Sequence, residues 1–328
     1  MDTKVSKMFV GVDVSKDTLD ICIHEHSMLK VANSDDGIKN IIKFIKPHNI
    51  GQIVCEATGG YETLMINTLS SKGYKVWNAD PARIKAFAKS EGIKFKTDAH
   101  DAKIIARFAA YKTCPYEQYV FSKKELTVRD LSRRRSDAIK MILMEKKRLN
   151  HPKPNLSKQY IEEHITFLKR QINQLDSVIA KTIEKDKVMK AKCAIIESMP
   201  GIGPVTSAAI ISSLPECGSV NNKQIAALVG VAPYTQESGK SHWQSFTKGG
   251  RFEPRQKLYM AALVGTRFNP VLKKFYQHLV GQGKRKKIAL IAVARKIIVI
   301  LNTMLKNGTF WNENHYISAQ KNKGTIMA

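Results

Sequence analysis

Phe9-Val10-Gly11-Val12-Asp13-Val14, then Ser15-Lys16-Asp17, then Thr18-Leu19-Asp20-Ile21-Cys22-Ile23 is the stretch from which the fold is read. The first six residues are an apolar run that closes on a carboxylate. The next three form a polar turn, and the last six alternate as a half-buried strand does. Together they predict a β-hairpin with Asp13 near the end of its first strand. Outward from there, residues 38–45 carry helical spacing. Ile53-Val54-Cys55 reads as a short buried strand ending at Glu56 and followed by Ala57-Thr58-Gly59-Gly60. A helix is expected over 61–71 with its stop at Gly73, then a strand at Tyr74-Lys75-Val76-Trp77. Pro81 opens the next helix, its favoured first-turn position. Thr97-Asp98-Ala99-His100-Asp101-Ala102 begins another, which runs to about Tyr111. Strands that give way to alternating helices and strands predict an α/β domain over residues 1–118.

Residues 119–192 read as a helical middle region. His151-Pro152-Lys153-Pro154 must break it. Beyond the break, Ile161, Ile165, Leu168, Ile172, Leu175 and Ile179 recur at spacings of four and three. This is an a/d seam of under three heptads, open to use as a short coiled coil in self-association or as the packing face of a helix on its own domain. From Cys193 to the end, a mainly helical domain is expected. It includes a loop-rich stretch over 228–245 and a long helix over 284–306 that stops at Gly308.

Charge divides the same way. The chain of 328 residues carries 54 Lys+Arg and 28 Asp+Glu, a net charge of +26. Residues 1–120 hold 17 bases and 14 acids, whereas residues 121–328 hold the remaining 37 and 14, a net of +23. Between Lys240 and Lys306 there is one acid, Glu253, among 15 bases. A near-neutral front half joined to a cationic back half suits a protein that handles a polyanion. It argues against a nucleotide-dependent sugar kinase, whose second half would be glycine-rich and near neutral. The five scattered cysteines include no Cys-x-x-Cys pair and read as free thiols of a cytoplasmic protein. The most apolar stretch, residues 288–305, contains Arg295 and Lys296 and reads as a buried helix and not as a membrane span.

Four carboxylates stand out. Asp13 and Glu56 each end an apolar strand, and Asp98 and Asp101, three apart, share one helical face. If that helix crosses the strand ends, the four converge, and hard oxygen donors at one point suit Mg²⁺ or Mn²⁺. Each also has an ordinary reading: Asp98 as a helix N-cap, Asp101 as a first-turn acid, Asp13 as part of the hairpin turn.

Gly11-Val12-Asp13-Val14-Ser15-Lys16, Cys55-Glu56-Ala57-Thr58-Gly59 and Lys96-Thr97-Asp98-Ala99-His100-Asp101-Ala102 resemble the DEDD transposases of bacterial insertion sequences. That family includes the pilin-gene invertases and the bridge-RNA-guided serine recombinases. Met199-Pro200-Gly201-Ile202-Gly203, Leu228-Val229-Gly230-Val231-Ala232-Pro233 and Glu237-Ser238-Gly239 continue the resemblance in the family's order. The resemblance implies a ribonuclease-H-like, RuvC-like first domain and a C-terminal transposase domain over 193–328. It implies that Asp13, Glu56, Asp98 and Asp101 form the catalytic, metal-binding tetrad for Mg²⁺ or Mn²⁺. Ser238 would be the nucleophile that forms a transient phosphoserine link. Donor and target DNA, a structured guide RNA, and homodimers that assemble to tetramers are the implied partners, with no membrane. The chain departs from the family pattern over 240–247, where Ser241 and Ser245 compete with Ser238. By residue type alone, a Ser-Gly step in a polar loop is a turn. A RuvC-like endonuclease that hydrolyses branched DNA with water would need the tetrad and not the serine.

Nucleic-acid contacts are expected from several places. Pro200-Gly201-Ile202-Gly203 resembles the hairpin of a helix-hairpin-helix motif, in which Gly201 and Gly203 let the backbone approach phosphate; a tight helix–helix turn reads equally. Lys248, Arg251, Arg255, Lys284 and Arg285 are candidate phosphate contacts, and Trp243 and Phe246 candidate stacking residues.

Overall fold

The computed structural model describes residues 7–92, 98–114, 121–234, 237–238, 241–242 and 246–314, with backbone alone for 98–100, 237–238 and 241–242. The chain divides into two compact units, Met1–Val120 and Phe121–Ala328.

The first unit runs β1 (Met8–Val14), β2 (Thr18–Ile23), β3 (Met28–Ala32), α1 (Asp35–Ile45), β4 (Ile50–Glu56), α2 (Thr63–Ser71), β5 (Val76–Ala79), α3 (Pro81–Ser90) and α4 (Asp98–Tyr111). Its sheet has the order β3-β2-β1-β4-β5. β1, β2 and β3 pair antiparallel, while β4 and β5 continue parallel to β1. The expected hairpin forms because Ser15 closes its turn: the Thr18 N–H donates to the Ser15 hydroxyl at 2.9 Å. β3, which alternates exposed and half-buried residues, is an edge strand that the sequence reading did not contain.

The period-two pleat sorts the sheet into two faces. Val10, Val12, Leu19, Ile21, Ile53 and Cys55 pack with Ile38, Ile41, Met65 and Leu69 beneath α1 and α2. On the other face, Val54 and Trp77 meet Ile84, Phe87, Ile105 and Phe108 of α3 and α4. Gly11 and Asp13 of β1, and Gln52 and Glu56 of β4, lie on this second face. Gly11 is the point of closest approach. A Cβ there would stand 2.6 Å from the Ile105 carbonyl carbon and nearer still to Ala106 N and Ala102 O, so only a glycine lets α4 lie directly on β1. The direction of α4 is fixed by Gln52, whose amide donates to Lys112 O at 2.8 Å and Ala109 O at 3.3 Å. The C-terminal end of α4 therefore sits at the start of β4, and its N-terminal end, with Asp98 and Asp101, lies toward the carboxyl ends of β1 and β4.

The second unit is helical: α5 (Lys123–Leu149), α6 (Asn155–Glu184), α7 (Lys187–Glu197), α8 (Pro204–Ser213), α9 (Asn222–Val229), the short strands β6 (Glu237–Ser238) and β7 (Ser241–His242), α10 (Phe252–Phe268), α11 (Pro270–Gly281) and α12 (Lys286–Asn307). Ser122 and Glu125 form a reciprocal capping box that starts α5. The a/d seam of α6 is used within the chain: Ile165 and Leu168 bury against Ala138 and Ile142 of α5. α12 is long and apolar enough to cross a membrane, yet Val293, Ala294, Ile298 and Leu301 are among its fully buried residues and Gly308 ends it in a left-handed cap, as expected. Its buried Asn302 ties down the segment before α9, accepting from Gly218 N–H at 2.8 Å and donating to Val220 O at 2.9 Å. All five cysteines are free thiols. Burial pushes Cys193 up to about 11 and Cys217 up to about 12, so both are protonated and inert.

Candidate active site

Of the carboxylates singled out in the sequence, Asp13 and Glu56 are neighbours on adjacent strands of the first unit, and Asp98 and Asp101 start the helix that packs on that face. Val12 pairs with Cys55 across the parallel β1–β4 ladder, which sets the next residues, Asp13 and Glu56, side by side at the carboxyl ends of adjacent strands. Both are on the face that α4 covers, and both are half-buried. Asp101, also half-buried, follows Asp98 by one turn at the start of α4, directly before the Ala102 that rests on Gly11. The side chain of Asp98 lies outside the described residues. Among the described residues, no group of three or more His, Cys, Asp or Glu side chains stands close enough to hold a metal ion. In donor chemistry, the set fits a hard divalent cation: all-carboxylate oxygen, no sulfur and no imidazole.

A fifth carboxylate adjoins them. Asp20 on β2 is the cross-strand partner of Asp13, and like charges directly opposite are unfavourable. Asp20 is buried and already answered by Lys30 of β3, whose ammonium donates at 3.0 Å. The alternation of β2 was enough to put Asp20 on this face, whereas its lysine partner needed the unread strand β3.

Ser238 belongs to the second unit. β6 and β7 form a small hairpin in which Ser238 pairs with Ser241 and Glu237 with His242. The feet are the Tyr234–Phe246 bridge, closed by Tyr234 N–H to Phe246 O at 2.8 Å. The side chains of Ser238 and Ser241, and all of Lys240, Trp243 and Ser245, lie outside the described residues. Below the feet, the chain returns against the end of α9. A Cβ on Gly250 would meet the Val229 carbonyl carbon at 2.5 Å, and Gly230 meets Gly249 in the same crossing.

The expected nucleic-acid contacts separate into two kinds. Arg251 forms a bidentate ion pair with the buried Glu216, at 2.5 and 2.7 Å, and also donates to Ser213 O at 2.8 Å. Its fork is thus occupied inside the unit, 35 residues from its partner in sequence. Gly201, at φ +100, abuts the backbone of Gly265 on α10, so close helix packing alone accounts for a glycine there. Gly203 is exposed, caps α8 without a side chain, and has open space around its Cα. Lys248, Lys284 and Arg285 are exposed; Arg255 is half-buried and donates to Gly249 O at 2.9 Å. Lys284 and Arg285 precede Lys286 and Lys287, and α12 has no acid in its first turn. Cations at the positive end of a helix dipole repel it, so an anion bound there relieves the strain.

Two family models match separate stretches of the chain. A family model described as Transposase, of the DEDD IS110 type, matches residues 10–151. A second, described as Transposase IS116/IS110/IS902 family, matches residues 193–277. The pilin gene-inverting protein of Moraxella bovis is 28% identical over 313 residues, covering 92% of this chain and 97% of that protein. Its counterpart in Moraxella lacunata has the same identity and coverage. An insertion element IS110 uncharacterized 43.6 kDa protein of Streptomyces coelicolor is 29% identical over 119 residues, 36% of this chain and 29% of that protein.

Proposed function

Because this chain belongs to the IS116/IS110/IS902 family of transposases, we propose that it cuts and rejoins DNA at the ends of an insertion element and at its target through a phosphoserine intermediate on Ser238. The observation that supports this reading is the packing of α4 on Gly11, which directs its N-terminus, with Asp98 and Asp101, toward the strand ends that bear Asp13 and Glu56. The strand order β3-β2-β1-β4-β5, with three antiparallel strands followed by two parallel ones, supports a ribonuclease-H-like, RuvC-like reading of the first unit.

Asp13, Glu56, Asp98 and Asp101 would hold Mg²⁺ or Mn²⁺. Such an ion, when bound, polarises phosphate oxygens and offsets the charge that builds on them. The hydroxyl of Ser238 gives up its proton and forms a bond to a backbone phosphorus as the bond from that phosphorus to the departing deoxyribose oxygen breaks. Attack by the hydroxyl of the exchanged strand reverses the step and frees the serine. The number of phosphodiester bonds is conserved, so religation needs no nucleotide cofactor. The second unit, at +23, supplies attraction to donor and target DNA and to a structured guide RNA. Lys248, Arg255, Lys284 and Arg285 lead its phosphate contacts. Homodimers that pair into tetramers bring two cutting centres to two duplexes, in the cytoplasm.

Denaturing gels of the protein with labelled element-end DNA test this. A covalent protein–DNA adduct is expected with the wild type and lost in both Ser238→Ala and Asp13→Asn, while both variants still retard DNA in native gels. Cleavage without an adduct, unaffected by Ser238→Ala, would mean hydrolysis by water and remove the serine from the mechanism.

A further inference from the structure

The parallel ladder between β1 and β4 ends at Val12 and Cys55. Asp13 and Glu56 are thus the first residues beyond the bonds that tie their two strands together. Each leads into a loop, and the two loops are joined by side chains outside the tetrad. Asn33, just after β3, donates from its amide to Ser15 O at 2.9 Å in the turn after Asp13, and to Tyr61 O at 3.1 Å in the loop after Glu56. Its own backbone N–H is held by Asp17 O at 2.9 Å.

The second loop is folded around Glu62. One carboxylate oxygen accepts from Thr58 Oγ1 at 2.9 Å, Thr58 N–H at 3.3 Å and Gly60 N–H at 2.9 Å. The other accepts from the amide of Asn78 at 3.2 Å, and Asn78 is the β5 partner of Cys55, the residue before Glu56. These donors are all neutral, and Glu62 is buried. Burial alone would raise its pKa, but hydrogen bonds from its own backbone, Thr58, Gly60 and Asn78 outweigh that and hold it below the usual glutamate value. Gly59 and Gly60, at φ +80 and +131, take the backbone turns that bring those N–H groups inward.

We propose that Asn33 and Glu62 are positioning residues that preset the separation of Asp13 and Glu56 for a divalent cation, Asn33 by strapping the two strand-end loops together and Glu62 by locking the loop that follows Glu56. The inference rests on the metal-binding reading of the tetrad given above. Residues that orient ligands from outside typically change metal affinity by about 10- to 100-fold when removed.

Mn²⁺ binding to the full-length protein without DNA, followed by the loss of its free electron-spin-resonance signal, reads this out without any turnover. Asn33→Asp keeps the shape of a half-exposed side chain and removes its donor. It is expected to weaken Mn²⁺ binding by about 10-fold or more while the circular-dichroism melt retains a cooperative transition. Glu62→Ala is expected to do the same, and Glu62→Gln, which keeps the acceptor for Thr58 and Gly60 and gives up only the bond from Asn78, to lose less. Wild-type affinity in both Asn33→Asp and Glu62→Ala overturns the proposal and leaves the tetrad intact. Equal loss in Glu62→Gln and Glu62→Ala assigns Glu62 a role through its charge and overturns its positioning role. A wild-type protein whose Mn²⁺ binding is absent, or unchanged by Asp13→Asn, overturns the metal reading and this inference with it.

Discussion

Replacing Gly11 by alanine tests the geometry on which the candidate site depends. The added methyl would stand 2.6 Å from the Ile105 carbonyl carbon, where ordinary contact begins at 3.4 Å, so α4 must lift by at least about 0.8 Å. The obstructing atoms are helix backbone on one side and a central strand on the other, and no rotamer can relieve them. Overpacking of this kind costs about 1–3 kcal/mol, and the rigid backbone puts Gly11→Ala at the upper end. Hydrogen exchange read by mass spectrometry reports on α4 directly. A loss of about 3 kcal/mol lowers the protection of its amides by about 100-fold. Because Asp101 rides on the lifted helix, Mn²⁺ affinity should fall in the same variant. Full protection of α4 together with wild-type metal affinity would refute the claim that flush packing at Gly11 sets the carboxylates in place.

Two further expectations concern the second unit. Burial raises the pKa of Glu253, against the opposing pull of Arg133, Lys257 and Ser213, and its buried Oε1 has no hydrogen-bond partner among the described residues. A carboxyl whose folded pKa exceeds its unfolded value stabilises the protein below the usual glutamate pKa and loses that contribution as pH rises through the folded value. Glu253→Gln should therefore match wild type in urea melts at pH 4 and be the more stable at pH 7; a gap of equal size at both would contradict the sign. Arg251→Ala leaves the buried Glu216 carboxylate without its ion-pair partner and should cost about 3 kcal/mol, much of it recovered by adding Glu216→Gln, as a double-mutant cycle in urea would measure.

Local chemistry made much of the first unit legible. The β1–β2 hairpin announced itself by alternation around a polar turn, and α3 by Pro81. β3 escaped because Met28-Leu29-Lys30-Val31-Ala32 is a half-exposed edge with little apolar contrast. β5 begins later than Tyr74 because that residue still completes the end of α2, its N–H donating to Leu69 O at 3.2 Å. In the site, Asp13 and Glu56 were readable as polar residues that end buried strands. Nothing local says which backbone will cross Gly11, that Glu62 serves the loop before it and not the helix after it, or that Arg251 will find Glu216. Those are facts of tertiary contact, and side-chain type alone points elsewhere: a glycine toward a turn, a basic residue toward phosphate.

The crossing of Gly230 with Gly249 and Gly250 brings the two ends of the 231–248 segment to nearly one spot. Closure entropy changes only slowly with the length of chain between two such fixed points. Sixteen residues or twenty-six could therefore hang from the same hinge-pins at a difference of well under about 1 kcal/mol. Length between those two points is cheap to change: kin can differ in it, and an engineer can vary it, at little cost to the helices that hold its ends.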